Sequence, residues 1–265
     1  MLSRYTVIDA HAHLWPSPSF SLKTFIGKAD KLGIDRLCVS MLPRGTRPSK
    51  PEEFRKANEA VFKAMREYPG RILGYCFVNP CYEKEALREL RRCLEEYGML
   101  GLKLYTDCHC LDPRVSRLVE IASEHEAPVL VHMVHVSRRW FDTLSVFHRN
   151  PITATTPDEL CVLARRHPRA TFIAAHIGGG GHWEIGIKAL KNCGNVLLDT
   201  GGSGVDLGMI EMAARELGVE RLVFGTDNFF CTGIAKIKSA EMDLGEKEAI
   251  LGGNMLRLIE KRGIP

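Results

Sequence analysis

Residues 7–15 read VIDAHAHLW, an apolar stretch that carries His11 and His13 two positions apart. Because side chains alternate along a β-strand, these two imidazoles point the same way, as does the carboxyl group of Asp9. A pair of histidines with this spacing says little alone, since such residues are more often structural or exposed. Three further strand-like segments carry metal-ligating side chains: PVLVHM has His132, TFIAAHIGGGG has His176 and RLVFGTDNFF has Asp227.

Eight short β-rich segments alternate with amphipathic stretches along the whole chain. We predict strands at 5–9, 36–40, 71–78, 99–105, 128–133, 171–176, 196–200 and 221–227. Strand–helix alternation repeated eight times is typical of a parallel sheet that closes into a (β/α)8 barrel. The chain has 265 residues, 45 % of them hydrophobic, and no linker divides it, so we predict one barrel domain over residues 1–265.

Several helices between these strands carry sequence signals for their ends. Asp112 followed by Pro113 predicts the start of a helix that runs to about His125. Thr156 and Glu159 predict a capping box at the start of another helix. Helical periodicity also covers three longer stretches, Glu52–Tyr68, Glu83–Tyr97 and Glu246–Lys261.

The bulk composition narrows the classes of partner. The net charge of +4 is mild and the basic residues are scattered, which argues against nucleic acid as the main partner and suits a small anionic substrate. No apolar run approaches the roughly 20 residues of a membrane span. The N-terminus also lacks the pattern of a signal peptide, so we expect neither membrane insertion nor secretion.

The nine cysteines are odd in number and scattered over helices and strands, so they predict no disulfide framework. A reducing cytoplasm is the compartment that fits this usage. Cys108, His109 and Cys110 form a local cluster that lacks the paired spacing of a zinc knuckle. We interpret this cluster as free thiols on a loop, with a second metal or redox site as the alternative.

The four histidines and the aspartate share a placement that points to a metal. They lie at or just past the carboxyl ends of four predicted strands, and that rim is where barrel enzymes carry their chemistry. Imidazole and carboxylate groups suit a borderline divalent metal such as zinc. The predicted metal-ligating residues are His11, His13, His132, His176 and Asp227.

The fourth predicted strand places a lysine inside the barrel. In the segment GLKLY, Leu102 and Leu104 suit the side that faces the helices, which leaves Lys103 pointing inward. An inward lysine is costly unless it is paired or chemically modified. We therefore include Lys103 among the candidate site residues.

These motifs, taken in order, resemble the amidohydrolase superfamily, and most closely its amidohydrolase 2 branch of metal-dependent barrel enzymes. The resemblance covers almost the whole chain and rests on the motifs DAHAH, FVNP, GLKLY, HIGGGG, GTDNFF and GGNMLRLI. It implies a distorted barrel whose metal is bound by His11, His13, His132 and Asp227. By the same resemblance, His176 would contact the metal or the reacting oxygen.

The resemblance leaves the number of metal ions open. Some superfamily members hold two ions bridged by a carboxylated lysine, and Lys103 occupies the corresponding position here. Many members of the amidohydrolase 2 branch instead use one ion, with an unmodified basic residue that binds substrate at this place. We favour one divalent ion, with Zn²⁺ as the first choice and Mn²⁺ as the alternative, and keep the two-metal site as the minority interpretation.

The favoured hypothesis is hydrolysis of an ester, lactone or amide of a small anionic substrate by a metal-activated water. Asp227 would act as ligand and general base, while His176 would stabilise the developing oxyanion or orient the nucleophile. Lys103 would fix an anionic part of the substrate or polarise its carbonyl. Trp15 and Arg138 are further candidates for substrate binding. The stretch from Trp140 to Thr156 has no clear periodicity and is a candidate lid or substrate loop.

Other functions stay open at this point. The main alternative is a non-oxidative decarboxylase, because relatives in the same branch decarboxylate aromatic or enoic acids within the same metal cage. A metal-dependent deoxyribonuclease would generally carry a glutamate on the fourth strand, where this chain has Lys103. A binding barrel that has lost catalysis would be expected to lack a ligand or the acid, and none is missing. No pattern specifies the oligomeric state, so a homo-oligomer stays open.

Overall fold

The computed structural model describes residues 5–15, 17, 19–43, 49–134, 155–179 and 182–265. Within these residues, eight parallel strands form one sheet in which each strand pairs with the next along the chain. The strands are β1 Ile8–Leu14, β2 Arg36–Met41, β3 Ile72–Phe77, β4 Gly101–Leu104, β5 Val129–Val131, β6 Phe172–Ala174, β7 Val196–Asp199 and β8 Leu222–Val223. The predicted single-domain (β/α)8 architecture is confirmed.

Backbone hydrogen bonds between the end of the sheet and its beginning close the barrel. The amide of Ala10 in β1 donates to the carbonyl of Phe224 at 2.7 Å. Beyond β8, the amide of Asp227 donates to the carbonyl of His11, also at 2.7 Å. Closure therefore brings the segment after β8 directly against the histidines of β1.

Helices cover the outside of the barrel in the order that the alternation predicts. They are α1 Leu22–Lys31, α2 Pro51–Glu67, α3 Glu83–Glu95, α4 Pro113–Glu124, α5 Pro157–Arg166, α6 Trp183–Leu190, α7 Met209–Leu217, α8 Phe230–Ser239, α9 Leu244–Glu248 and α10 Asn254–Lys261. The predicted helix starts are confirmed: Asp112 accepts a hydrogen bond from the Arg114 amide, and Thr156 with Glu159 forms a capping box. These contacts satisfy amide groups that the first helical turn leaves unpaired.

Two strands differ most from their predicted bounds. The strand predicted at 5–9 runs from Ile8 to Leu14, so both histidines of the HxH pair lie within it. The strand predicted at 221–227 spans only Leu222–Val223. The segment after it leaves the extended conformation, because Asp227 and Asn228 adopt φ values of 52° and 67°.

The C-terminal helix predicted at Glu246–Lys261 is interrupted by a π-helical turn at Ala249–Gly253. At this turn the backbone lies against the start of β1. A Cβ on Gly252 would meet the Thr6 carbonyl oxygen at 2.1 Å, so the close approach requires glycine. The turn also supplies the carbonyl of Ile250, which accepts a hydrogen bond from the Phe224 amide.

The cysteine prediction needs one correction. Cys161 in α5 and Cys193 before β7 form a disulfide, which the scatter of cysteines along the chain did not indicate. Distance in sequence hid the pair, because the barrel brings consecutive helix–strand units side by side. Cys108 and Cys110 form no disulfide, as expected. Among the described residues, none of the helices combines the length and apolar character needed to cross a membrane.

Candidate metal centre

Three of the predicted ligands converge at the carboxyl end of the barrel. His11 Nε2 lies 3.1 Å from His13 Nε2, and Asp227 Oδ1 lies 3.2 Å from His13 Nε2 and 3.8 Å from His11 Nε2. Ligands that each bind an ion at about 2.0–2.2 Å stand roughly 3–3.5 Å apart, so these three side chains fit a divalent metal. His11, His13 and Asp227 therefore form a candidate metal site.

A buried carboxylate orients His11. Asp199, the last residue of β7, places Oδ2 2.8 Å from His11 Nδ1. Its other oxygen accepts hydrogen bonds from the amides of His176 at 2.8 Å and Gly201 at 2.7 Å. Because the carboxylate accepts the Nδ1 proton, Nε2 of His11 is left with a lone pair that faces the site.

His13 is held through both its ring and its backbone. The Ser40 hydroxyl of β2 lies 2.9 Å from His13 Nδ1. The Asn228 side chain accepts from the His13 amide and donates to the His13 carbonyl, each at 2.9 Å. Since Asn228 follows Asp227, this two-way contact fixes the carboxylate of Asp227 beside the ring of His13.

The backbone is strained where the site is built. Four non-glycine residues in the described part of the chain have positive φ, and three of them lie here: His176, Asp227 and Asn228, at 43°, 52° and 67°. Such conformations cost about 1–3 kcal/mol each and persist when the surroundings enforce them. Their clustering at the carboxyl ends of β6 and β8 makes this end of the barrel the candidate functional end.

His132 and His176 form a second pair beside the first group. His176 Nε2 lies 3.0 Å from His132 Nδ1, and His176 Nδ1 lies 3.2 Å from the Gly179 carbonyl oxygen. The His176 ring stacks on that of His11, with centroids 5.8 Å apart. The His132 ring packs against Tyr105 at 4.4 Å. The predicted ligand histidines are thus adjacent, although only His11 and His13 share one compact group with Asp227.

Lys103 lies inside the barrel, as the alternation of β4 predicts. It is fully buried, and its Nζ is 3.1 Å from His11 Nε2. Burial lowers the pKa of Lys103 to about 8, and the carboxylates of Asp227 and Asp199 partly oppose that shift. Lys103 therefore adds a cationic group at the edge of the candidate metal site at neutral pH.

The protonation states suit metal binding. Burial and the neighbouring cationic groups hold the pKa values of His11, His13 and His132 below the ordinary value of 6.5. Burial alone would raise the pKa of Asp227, but the hydrogen bond with His13 and the surrounding histidines outweigh it and keep that pKa below 3.8. Neutral imidazoles and an ionised carboxylate are the forms that bind metal ions.

A further buried acid, Asp9, holds the backbone around the candidate metal site. Asp9 accepts hydrogen bonds from the His11 amide at 3.0 Å and from the Thr226 hydroxyl at 2.6 Å. Burial raises the pKa of Asp9 to about 8, although these hydrogen bonds partly lower it. Asp9 therefore links β1 to the segment that carries Asp227.

A cavity of about 310 Å³ opens directly over the site. It is lined by His13, Trp15, Leu42, Tyr105, His132, Asp227, Asn228 and Phe229. Three of these side chains are aromatic, and Trp15 is 50 % exposed at the mouth. The cavity thus combines apolar walls with a few convergent polar groups, which is the usual character of a small-molecule site.

Some expectations lie outside the described residues, and some residues were missed. Arg138 and nearly all of the proposed lid, residues 140–154, belong to the part of the chain that the structure does not describe. Asp199 and Asn228 were not predicted as site residues. Asp199 ends an apolar strand at the same rim as the predicted ligands, so the placement rule used for Asp227 could have identified it.

Comparisons with known proteins agree with this architecture. The family model described as "Amidohydrolase" matches residues 8–260, so the chain belongs to the amidohydrolase family. None of the curated proteins gives a match to the sequence.

Three solved structures illustrate the similarity in fold. A dihydroxybenzoic acid decarboxylase from Polaromonas sp. JS666 is 16 % identical, with a TM-score of 0.74 and coverage of 97 % of both chains. The 5-carboxyvanillate decarboxylase from Sphingomonas paucimobilis is 15 % identical, with a TM-score of 0.72 and coverage of 97 % of this chain and 99 % of the other. The 4-oxalomesaconate hydratase from Rhodopseudomonas palustris is 18 % identical, with a TM-score of 0.68 and coverage of 97 % and 96 %.

Proposed function

We propose that this chain is a metal-dependent lyase that removes carbon dioxide from a small aromatic carboxylic acid without oxidation. The observation that carries the proposal is the cavity of about 310 Å³ that places three aromatic walls, Trp15, Tyr105 and Phe229, over the His–His–Asp group. Aromatic walls suit the faces of a planar ring, and the cationic and metal-binding groups suit its carboxylate.

The sequence alone favours hydrolysis over decarboxylation, and this proposal reverses that order. Two of the solved structures similar in fold are named as decarboxylases of aromatic acids, and the Polaromonas protein holds manganese and the inhibitor 2-nitroresorcinol. At 15–16 % identity this likeness concerns the fold alone. It supports the choice of substrate class only together with the aromatic cavity.

One divalent ion would be held by His11, His13 and Asp227, with His132 as a further ligand. When bound, it would supply positive charge that orients the substrate oxygens and stabilises negative charge at the reacting group. Lys103 would add a second cation beside the same oxygens. We propose an unmodified Lys103, because its ammonium form already complements the carboxylates of Asp199 and Asp227.

Decarboxylation breaks the bond between the ring carbon and the carboxylate, and its electron pair stays on the ring carbon until a proton arrives there. We assign the proton transfer to Asp227, whose carboxyl group lines the cavity. Asp227 rests as a carboxylate because its pKa is low, so it must first take up a proton from substrate or solvent. His176, held by its contacts with His132 and the Gly179 carbonyl, would steady the charge that develops on the substrate oxygens.

The remaining predicted residues have narrower proposed roles. Trp15 would cover one face of the ring at the mouth of the cavity, where it is half exposed. Arg138 keeps its proposed role of binding a carboxylate. The proposed ligand is a small molecule. We propose the cytoplasm as the location of the enzyme, because seven of its nine cysteines form no disulfide beside the Cys161–Cys193 pair.

Isotope incorporation tests the proposal. The protein, loaded with Mn²⁺ or Zn²⁺, is incubated with 2,6-dihydroxybenzoate or its methyl ester in D₂O enriched in ¹⁸O. Decarboxylation places one deuterium on the ring carbon and no ¹⁸O in the aromatic product, whereas ester hydrolysis places one ¹⁸O in the acid. A His11→Ala/His13→Ala double variant is the control for contaminating activity. Ester hydrolysis without ring deuteration would contradict the proposal.

A hydrolase of esters, lactones or amides is the second candidate. The low pKa of Asp227 favours it, since a resting carboxylate is ready to accept a proton from an attacking water without prior loading. The two candidates share every residue of the site and differ in what reacts with the substrate. The isotope experiment therefore separates them directly.

A further inference from the structure

A lysine outside the predicted site makes an unusual set of contacts. Lys236 lies in α8, only 4 % exposed, and its ammonium donates to the carbonyls of Thr200 at 2.9 Å, Gly201 at 2.9 Å and Gly202 at 2.8 Å. An ammonium group has three N–H bonds, and three consecutive carbonyls use all of them. Burying this cation requires such compensation, because an unpaired buried charge is costly.

The three carbonyls belong to the loop that positions Asp199. The Gly201 amide donates to Asp199 Oδ1 at 2.7 Å, and Asp199 Oδ2 contacts His11 Nδ1. The Gly201 carbonyl also accepts a hydrogen bond from the Gly178 amide, two residues after His176. The loop after β7 therefore supports both the acid that orients His11 and the segment that carries His176.

Charge adds to this geometric link. Lys236 is close enough to Asp199 and Asp227 for both carboxylates to raise its pKa, although burial dominates and lowers that pKa to about 8. The ammonium form therefore predominates at neutral pH. It offsets part of the negative charge of two acids that point toward the candidate metal site, an effect that by itself would weaken cation binding there. Support of the site by Lys236 must therefore come from its hydrogen bonds to the loop.

We infer that Lys236 is a positioning residue for the metal site: it clamps the 200–202 loop so that Asp199 holds His11 with Nε2 directed at the ion. This inference deepens the proposed function and rests on the proposed metal site. Lys236 does not line the cavity over the site, so its effect reaches the ligand through the loop and Asp199.

The chain offers a matched control at the opposite end of the barrel. Asn254 is also buried and also ties a side-chain donor to backbone carbonyls, those of Val219 at 2.8 Å and Leu222 at 2.6 Å. These carbonyls precede or begin β8, away from the carboxyl-end rim. Asn254→Ala therefore tests what the loss of a buried backbone clamp does to stability alone.

The experiment compares wild type, Lys236→Met, Lys236→Gln and Asn254→Ala as full-length proteins. Mn²⁺ affinity is measured by calorimetry, and hydrogen exchange is followed in peptides covering 176–179 and 199–204. We expect Lys236→Met to bind Mn²⁺ about tenfold more weakly, the lower end of the range for residues that orient metal ligands. Exchange in both peptides should become faster. Lys236→Gln keeps hydrogen-bond donors but not the charge. Its Mn²⁺ affinity and exchange rates should lie between those of Lys236→Met and wild type.

Asn254→Ala should accelerate exchange around 219–223 and leave the Mn²⁺ affinity unchanged. Wild-type affinity in Lys236→Met, or an equal loss in Asn254→Ala, would overturn the inference. If Lys236→Met fails to fold, the same comparison is made with Lys236→Gln. If wild type binds no Mn²⁺ or Zn²⁺, the proposed function fails, and the His11 Nδ1–H resonance in the metal-free protein decides the role of Lys236. If Lys236→Gln keeps this resonance with the chemical shift and the hydrogen-exchange rate of wild type, Lys236 does not clamp the loop.

Discussion

The carboxylate of Asp199 lies 2.8 Å from Nδ1 of His11, and both side chains are buried at the carboxyl end of the barrel. This contact determines which ring nitrogen of His11 faces the candidate metal site. It also links β7 to β1 across the barrel interior, so a ligand on the first strand depends on a residue 188 positions later. The candidate metal site therefore depends on barrel closure as much as on the HxH pair.

Replacing this acid should weaken the metal site more than the fold. In Asp199→Asn the side chain keeps its size but loses its charge, so the His11 Nδ1 proton has a poorer acceptor. We expect Mn²⁺ affinity, measured by calorimetry, to fall about 10–100-fold. Circular dichroism should show an unchanged fold. Wild-type affinity in this variant would show that Asp199 does not orient His11.

Asp227 should be essential for turnover. Asp227→Asn preserves the shape of the side chain but removes the group that moves the proton, a contribution typically worth about 10²–10⁴ in rate. The variant should lose most of the turnover on the substrate found by the isotope experiment. Asp30→Asn, at the end of α1, controls for a general loss of negative charge and should turn over normally. Equal rates in wild type and Asp227→Asn would contradict the assignment.

Metal binding should persist to mildly acidic pH. His11, His13 and His132 have pKa values below 6.5, so protons begin to compete with the metal only below that pH. Titration of a chain loaded with Mn²⁺ should give a release midpoint under pH 6.5. The metal-free protein should also lose stability as pH falls below 6.5, because the unfolded histidines bind protons more readily than the buried ones. A release midpoint above pH 6.5 would contradict this account.

Replacing one glycine in β4 should destabilise the barrel. A Cβ on Gly101 would meet the Pro128 carbonyl oxygen at 2.2 Å, so Gly101→Ala should cost about 1–3 kcal/mol in unfolding free energy. Gly27 in α1 has open space around it, and Gly27→Ala should instead stabilise by about 0.5–1 kcal/mol. Urea unfolding measures the free energy of unfolding of both variants. A destabilised Gly27→Ala beside an unchanged Gly101→Ala would contradict the close packing of β4 against Pro128.

The sequence alone predicted the barrel well because its signals are local. Alternation placed Lys103 inside, and capping residues such as Asp112 and Thr156 marked helix starts. It predicted the end of β8 poorly, because Asp227 and Asn228 take up their positive φ values through contacts with β1.

The residues that the sequence did not indicate were missed for the same physical reason. Asp199 and Lys236 act through partners far away in sequence, and neither belongs to a motif. Lys236 occurs on an amphipathic helix, where an isolated lysine is normally solvent-exposed. Its burial follows from the carbonyls of the 200–202 loop, which only the assembled barrel presents. The disulfide between Cys161 and Cys193 depends in the same way on neighbouring helix–strand units.

The metal content of the purified chain tests the central claim most directly. Elemental analysis of wild type, purified without added metal and again after reconstitution with Mn²⁺ or Zn²⁺, should find about one divalent ion per chain. The His11→Ala/His13→Ala double variant should hold less than a tenth of that amount. Two ions per chain would move Lys103 into the ligand set as a carboxylated residue. Absence of metal from reconstituted wild type, or equal metal in the double variant, would contradict a His–His–Asp metal centre.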